Sequence, residues 1–422
     1  MKKSSFIFAI ISIIGLLILA ISSCGVINPV DKKHFDEDGN LLPDSSNLDS
    51  VFFKLQPPET IKYYVEVSGS MNGFFRPNRP TDFKADVWQI MSYFSGIKSD
   101  ITILTNNGNT GTQESLSSFK TKMNTGAFVS SASTQVPIML ESIMKDFNPE
   151  KGEIAILLSD MKYDPVGAAA PDVLMTQYSS DISKIIGENN NAVCLIGANS
   201  SYLDKAGIEL TNKSPYYFLI IGKAENVAFI RNSISTLLTN NGHLIDNIES
   251  GFDYGPIEYS FGMPDNCWQM DNDNPTFVGY DPSDTDTCTI SLKVSLENYR
   301  WVTADSLYFS KGFKVNSLYG SGVKVDTIKY EVENITGKQL IRKATATVEL
   351  KVFGMPMDAD VLEWTLELPD LDVTNFSPYM GAQNPNDVSK TYSLENFLKG
   401  IFYGGVVNKT LKPNYILISK NS

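Results

Sequence analysis

The stretch Ile61-Lys62-Tyr63-Tyr64-Val65-Glu66-Val67-Ser68-Gly69-Ser70-Met71 decides how the rest of the chain is read. Its β-branched and aromatic run predicts a buried strand, and two hydroxyls around Gly69, followed by Asn72-Gly73, end it. From Asp82 to Phe94 the apolar residues Phe83, Val87, Ile90, Met91 and Phe94 recur at helical spacing. The polar cluster therefore falls at the carboxyl end of a strand, in the turn before a helix. In open α/β sheets that crevice is where ligands bind. Glu66, Ser68 and Ser70 alternate along what reads as extended backbone, so their side chains are expected to offer three oxygens to one point. Oxygen ligands with few carboxylates suit a hard cation that keeps part of its water, such as Mg²⁺.

Glu66-x-Ser68-Gly69-Ser70-Met71 resembles the Asp-x-Ser-Gly-Ser-Met opening of von Willebrand factor A domains, the metal-ion-dependent adhesion site. The resemblance covers about residues 60–242. It implies a doubly wound, mostly parallel α/β sheet and a site completed by a threonine from a later loop and an aspartate after a later strand. Thr134, in Ser130-Ser-Ala-Ser-Thr-Gln-Val-Pro137, and Asp160, ending Ile154-Ala-Ile-Leu-Leu-Ser-Asp160, stand at those places. The implied metal set is Glu66, Ser68, Ser70, Thr134 and Asp160, around Mg²⁺ or Mn²⁺. Glu66 replaces the family's aspartate, serine and alanine replace the glycines usual beside the threonine, and Met161 stands where the family often has glycine.

Around this stretch, strands and helices alternate. Candidate strands are 61–68, 100–105, 153–159, 191–198 and 215–222, and candidate helices are 82–96, 114–123, 135–147, 171–187 and 223–239. Such alternation predicts βαβ units with helices on both faces of a sheet. The continuous apolar runs Ala192–Gly197 and Tyr216–Gly222 read as strands buried on both faces. After Gly242 the pattern changes to apolar–polar alternation, as in Cys288–Ser295, Gly322–Tyr330, Thr345–Val352 and Leu362–Leu368. That is the signature of antiparallel sheets packed face to face, a sandwich-like β-rich region. Thr391 to Tyr403 reads as one amphipathic helix, and Tyr415–Ile418 as a last strand for either sheet.

The N-terminus carries its own signal. Lys2-Lys3 is a positive segment, Phe6 to Ile21 is apolar, and Ile21-Ser22-Ser23-Cys24-Gly25 resembles the lipobox of bacterial lipoproteins. The resemblance implies a signal peptide over 1–23 and a lipidated Cys24, which would hold the protein stably to a membrane because more than one acyl chain is attached. Residues 24–57 are polar and turn-rich and read as a tether. The expected division is then 58–245 for the A-like α/β domain and 246–422 for the β-rich domain. The expected location is the bacterial cell envelope, with the outer membrane as the anchoring membrane.

Composition bounds the function. The 422 residues are 42% hydrophobic and 20% charged, an ordinary globular balance. The net charge is −13, and loss of Lys2 and Lys3 with a leader deepens it to −15. With no basic run, nucleic-acid binding through a basic surface is not expected. Cys194 reads as a small buried hydrophobe, and Cys267 and Cys288 as a candidate disulfide in an exported chain. Asp271-Asn-Asp-Asn274 and Asp281-Pro-Ser-Asp-Thr-Asp286 lack the EF-hand glycine and distal glutamate and read as solvated loop. Trp268 nearby reads as core before it reads as a sugar platform. With only His34 and His243 in the chain, a Ser–His pairing would have to use His243, beside Asp246. The preferred reading is a lipid-anchored binding module that engages a protein or glycan partner through the cation. The alternative is a metal-dependent hydrolase in the same crevice, with Glu66 or Asp160 as base.

Overall fold

The computed structural model describes residues 53–105, 110–128, 135–163, 171–188, 191–263, 267–270, 277–280, 287–296, 298–299, 306–334, 342–356, 359–367, 370–381, 387–405 and 411–420. The expected leader, Cys24, the tether up to residue 52, Thr134 and the two Asp-rich segments lie outside the described residues. Among the described residues no helix is long and apolar enough to cross a membrane.

The first part of the chain runs β1 (Thr60–Glu66), α1 (Asp82–Tyr93), β2 (Lys98–Thr105), β3 (Thr110–Glu114), α2 (Leu116–Thr125), α3 (Val136–Asp146), β4 (Glu153–Ser159), α4 (Pro171–Gly187), β5 (Ala192–Ser200), β6 (Ser214–Gly222), α5 (Ala224–Asn241) and β7 (Leu244–Ser250). The helices begin and end where local chemistry directs. Thr81 caps α1 by accepting from Lys84 N, and Ser115 caps α2 by accepting from Ser118 N. Gly242 ends α5 in the left-handed region that glycine adopts without steric cost.

These strands form one seven-stranded sheet in the order β3-β2-β1-β4-β6-β5-β7. The fold is mixed α/β. Its parallel pairings are β1 with β2 and β1 with β4, and β3, β6, β5 and β7 join antiparallel to their neighbours. The departure from a largely parallel sheet has a simple origin. Residues 201–213 between β5 and β6 carry no helix, so the chain turns back beside the strand it has just left. β6 is nevertheless buried along its whole length, as its apolar run requires.

The rest of the chain runs β8 (Tyr259–Phe261), β9 (Trp268–Met270), β10 (Phe277–Tyr280), β11 (Thr287–Ser295), α6 (Ser306–Gly312), β12 (Phe313–Ser317), β13 (Gly322–Asn334), β14 (Arg342–Phe353), β15 (Ala359–Leu366), the short pair β16 (Met380–Gly381) and β17 (Thr391–Tyr392), α7 (Leu394–Gly404) and β18 (Asn414–Lys420). One sheet has the order β13-β14-β11-β8 and a second β12-β15-β18-β10-β9. Their inward residues, Ile290, Leu292 and Val348 on one side and Leu362, Trp364 and Ile416 on the other, share one apolar core. The last strand lies between β15 and β10.

The division of the chain at residue 245 is not how its parts are distributed. β7 spans that position and closes the edge of the first sheet, beside β5. Helices α1, α2 and α5 cover one face of that sheet over Tyr63, Val65 and Ile156. The other face, over Tyr64 and Leu157, is covered by α3, α4 and the distant α7. Leu394, Phe397, Leu398 and Ile401 of α7 are buried there, at about 1.5–3 kcal/mol for each large apolar side chain. Gly400 permits this approach, because a Cβ on it would lie 2.6 Å from Ile182 of α4. The two parts are also joined by Arg231 of α5. Its buried guanidinium pairs with Glu249 and donates to the Tyr254 hydroxyl at 3.0 Å and to Asn298 O at 3.2 Å.

Candidate functional site

β1 and β4 are adjacent and parallel, so both carboxyl ends open on the same edge of the sheet. Glu66 ends β1 and is buried, with both oxygens committed. One accepts Ser68 N at 2.9 Å, and the other accepts the Ser159 hydroxyl at 2.8 Å. Ser159 Oγ in turn accepts Met161 N at 2.8 Å. Glu66 therefore ties together the two strand ends.

The alternation expected through Ser70 does not persist. The strand stops at Glu66, and Gly69–Gly73 form a 3₁₀ turn closed by Met71 N donating to Ser68 O at 3.1 Å. Curling the backbone turns Ser70 back towards Ser68, and the two hydroxyl oxygens lie 2.8 Å apart. Ser68 holds the N-cap position of this turn, yet its side chain makes no cap hydrogen bond. A capping role does not account for that hydroxyl. Ser70 also hydrogen-bonds the carboxyl of Asp160, the residue after β4. From the far side, the Tyr202 hydroxyl donates to Ser70 O at 2.8 Å. Gly73 leaves room for this tyrosine, since a Cβ there would sit 2.2 Å from its ring.

Glu66, Ser68, Ser70 and Asp160 are thus brought together, and Thr134 is outside the described residues. Met161, the next residue, has φ 52° although it is not glycine, and its side chain is buried. Left-handed backbone of this kind costs a side-chain-bearing residue about 1–2 kcal/mol and marks sites where the surroundings hold it in place.

Two features were missed from sequence. The first is Lys162, whose ammonium is buried beside the cluster. Burial pushes it below the ordinary lysine value, while the charges of Asp160, Asp387 and Glu66 pull it back up. Burial likewise raises the Asp160 carboxyl, opposed by Lys162 and by the Ser70 hydrogen bond. The second is a roof from the far end of the chain. Lys162 Nζ donates to Asp387 O at 2.9 Å, Thr391 donates to Asp160 O at 3.0 Å, and Tyr217 donates to Thr391 Oγ1 at 3.0 Å. Glu66, Ser68 and Asp160 are consequently buried, Ser70 is half-buried, and Gly69 is exposed at the open side. Lys162 follows the Asp160 motif directly in sequence. The roof is more than two hundred residues away, and no local pattern announces it.

The donors are compatible with a small hard cation. Neighbouring oxygens around an octahedral ion at 2.0–2.1 Å are separated by about 3 Å, close to the 2.8 Å between Ser68 and Ser70. Asp160 supplies a carboxylate alongside. Lys162 limits the charge available, because with Glu66 and Asp160 ionised and Lys162 protonated a single net negative charge remains. Among the described residues no three His, Cys, Asp or Glu side chains group as a metal cluster.

The other candidate residues separate from this site. His243 contacts Asp86 rather than Asp246, with Nδ1 2.7 Å from Asp86 Oδ2 and Nε2 3.8 Å from Asp82. The Asp86 carboxylate also accepts from Tyr216 at 2.6 Å and from Asn241 at 2.7 Å, a polar knot that fixes α1 to α5. Asp246 instead accepts from Asn375 at 2.8 Å, so sequence adjacency misdirects the pairing. Cys267 and Cys288 are joined by a disulfide with Cα atoms 5.6 Å apart. Cys194 is buried and not disulfide-bonded. Trp268 is buried against Phe261, within the apolar core. No protein-family model, curated protein or solved structure matches the chain.

Proposed function

We infer that this chain is a lipid-anchored protein of the bacterial cell envelope whose α/β part is von Willebrand factor A-like and binds a protein or glycan partner. The contact is the crevice at the carboxyl ends of β1 and β4. There Ser68, Ser70 and Thr134 would ligate Mg²⁺ or Mn²⁺, with Glu66 and Asp160 behind them and a partner's carboxylate as the final ligand. The observation that carries this reading is the pairing of the Ser68 and Ser70 hydroxyls at 2.8 Å with Asp160 beside them, on adjacent parallel strand ends. The central β2-β1-β4 strands with helices on both faces support the A-like reading.

The hydrolase alternative loses ground on one point. Glu66 already accepts a hydrogen bond from the protein on each oxygen and ties the two strand ends together, so Asp160 is the base that alternative would have to use. The test is thermal unfolding with and without Mg²⁺ or Mn²⁺, in wild type and Ser70→Ala. A metal-dependent rise in Tm that the variant lacks is expected. No rise in either protein would overturn the reading.

A further inference from the structure

A groove of about 410 Å³ lies between α1, α2 and the loop leading into α1. It is lined by Arg79, Lys84 and Lys120 and by no Asp or Glu, in a chain whose net charge is −13. The acids of α1 face elsewhere, Asp82 towards Lys213 and Ser201, and Asp86 towards Tyr216, Asn241 and His243.

Lys84 is the unusual member. It is 7% exposed, and its ammonium donates to Arg76 O at 2.7 Å and Arg79 O at 3.0 Å. Among the described residues it has no carboxylate in ion-pair contact, and burial alone pushes it below the ordinary lysine value. Two carbonyls use two of its three protons, and a buried charge without a counter-charge is costly. Lys120 repeats the theme at the surface, with its exposed ammonium 3.9 Å from the centroid of the Trp88 ring. The exposed carboxamides of Asn78 and Asn124 complete the rim.

We propose that this groove is a second binding site, independent of the crevice, for an acidic saccharide. A uronate carboxylate would provide the anion that Lys84 and Lys120 lack, and the carboxamides would meet hydroxyls. The indole of Trp88 would take the C–H face of the sugar ring, with Lys120 swinging aside on its flexible stem. Sugar fits better than peptide. The groove walls are two helices, bonded internally, and a loop whose Arg76 and Arg79 carbonyls already accept from Lys84, so they offer no strand edge to an extended chain.

The test is binding of an oligogalacturonate to the full chain, followed by calorimetry and tryptophan fluorescence. A neutral glucose oligomer of equal length and hexaglutamate serve as comparisons. Oligogalacturonate alone should bind, more weakly as salt is raised. Lys120→Glu, an exposed change, should weaken it tenfold or more, Trp88→Phe should remove the fluorescence response, and Ser70→Ala should leave it unchanged. Lys84→Met, checked for folding by circular dichroism, should abolish binding. Absence of uronate binding, equal affinity in Lys120→Glu, equal binding of the neutral oligomer, or preference for hexaglutamate would each overturn the proposal.

Discussion

The crevice and the groove are each built around a buried lysine, and they differ in what that lysine faces. Lys162 lies among the charges of Asp160, Asp387 and Glu66 and is roofed by residues 387–391. Lys84 meets only two backbone carbonyls and opens on a cavity without acids. In the crevice the protein supplies most of the compensation itself and leaves a small negative remainder for a cation. In the groove the compensation has to come from outside. The same residue type thus marks a nearly balanced site in one place and an unbalanced one in the other.

The largest effect expected from this contrast is at Lys162. Lys162→Met strands two buried carboxylates, and loss of one member of a buried charge group costs about 3–5 kcal/mol. Urea unfolding without metal would measure it, and a change below about 1 kcal/mol would break the comparison. Adding Asp160→Asn to that variant should restore part of the loss, with the coupling read from a double-mutant cycle. Lys84→Met should cost less, because it frees two carbonyls but also removes an uncompensated charge. The expected loss is about 1–2 kcal/mol, near that of unsatisfied polar groups. Equal losses at Lys84 and Lys162 would erase the distinction.

Met161→Gly sharpens the account of the crevice itself. Glycine would relieve the left-handed backbone, worth about 1–2 kcal/mol, but would empty a buried methionine position, which costs about 2–5 kcal/mol. A net loss of stability is expected. A net gain would mean that the strain at this turn outweighs the packing of the side chain behind it.

The α/β core was legible because its signals are local. The Ile61–Met71 run, the helical spacing after Asp82 and the apolar run before Asp160 each place an element on their own. Direction was less legible, since a buried strand such as β6 has the same apolar run whichever way it points. Only the helix-free link 201–213 decides that it turns back. The short edge strand β3 escaped notice because it is largely exposed and carries no apolar run, and the edge strand β7 because a half-buried edge carries a weak pattern. In the site, Glu66, Ser68, Ser70 and Asp160 could be named from their motif, but the geometry could not. Ser70 reaches Ser68 through a 3₁₀ turn rather than along a strand. The Asp387 carbonyl that Lys162 meets and the covering helix α7 come from more than two hundred residues away, a distance that no periodicity spans.

The measurement that bears most directly on the central claim is the Tm of the full chain as Mg²⁺ or Mn²⁺ is titrated, for wild type and Ser70→Ala together. Ligation by Ser68 and Ser70 predicts stabilisation that follows RT ln(1 + [L]/Kd), about 2.7 kcal/mol at a hundredfold excess over Kd. Ser70→Ala should lose most of that gain. Without metal it should cost about 1–2 kcal/mol, because it removes the hydroxyl that meets both Ser68 and the Asp160 carboxyl. A Tm that does not respond to either ion in wild type, or that responds equally in both proteins, would contradict the claim that this crevice holds a cation.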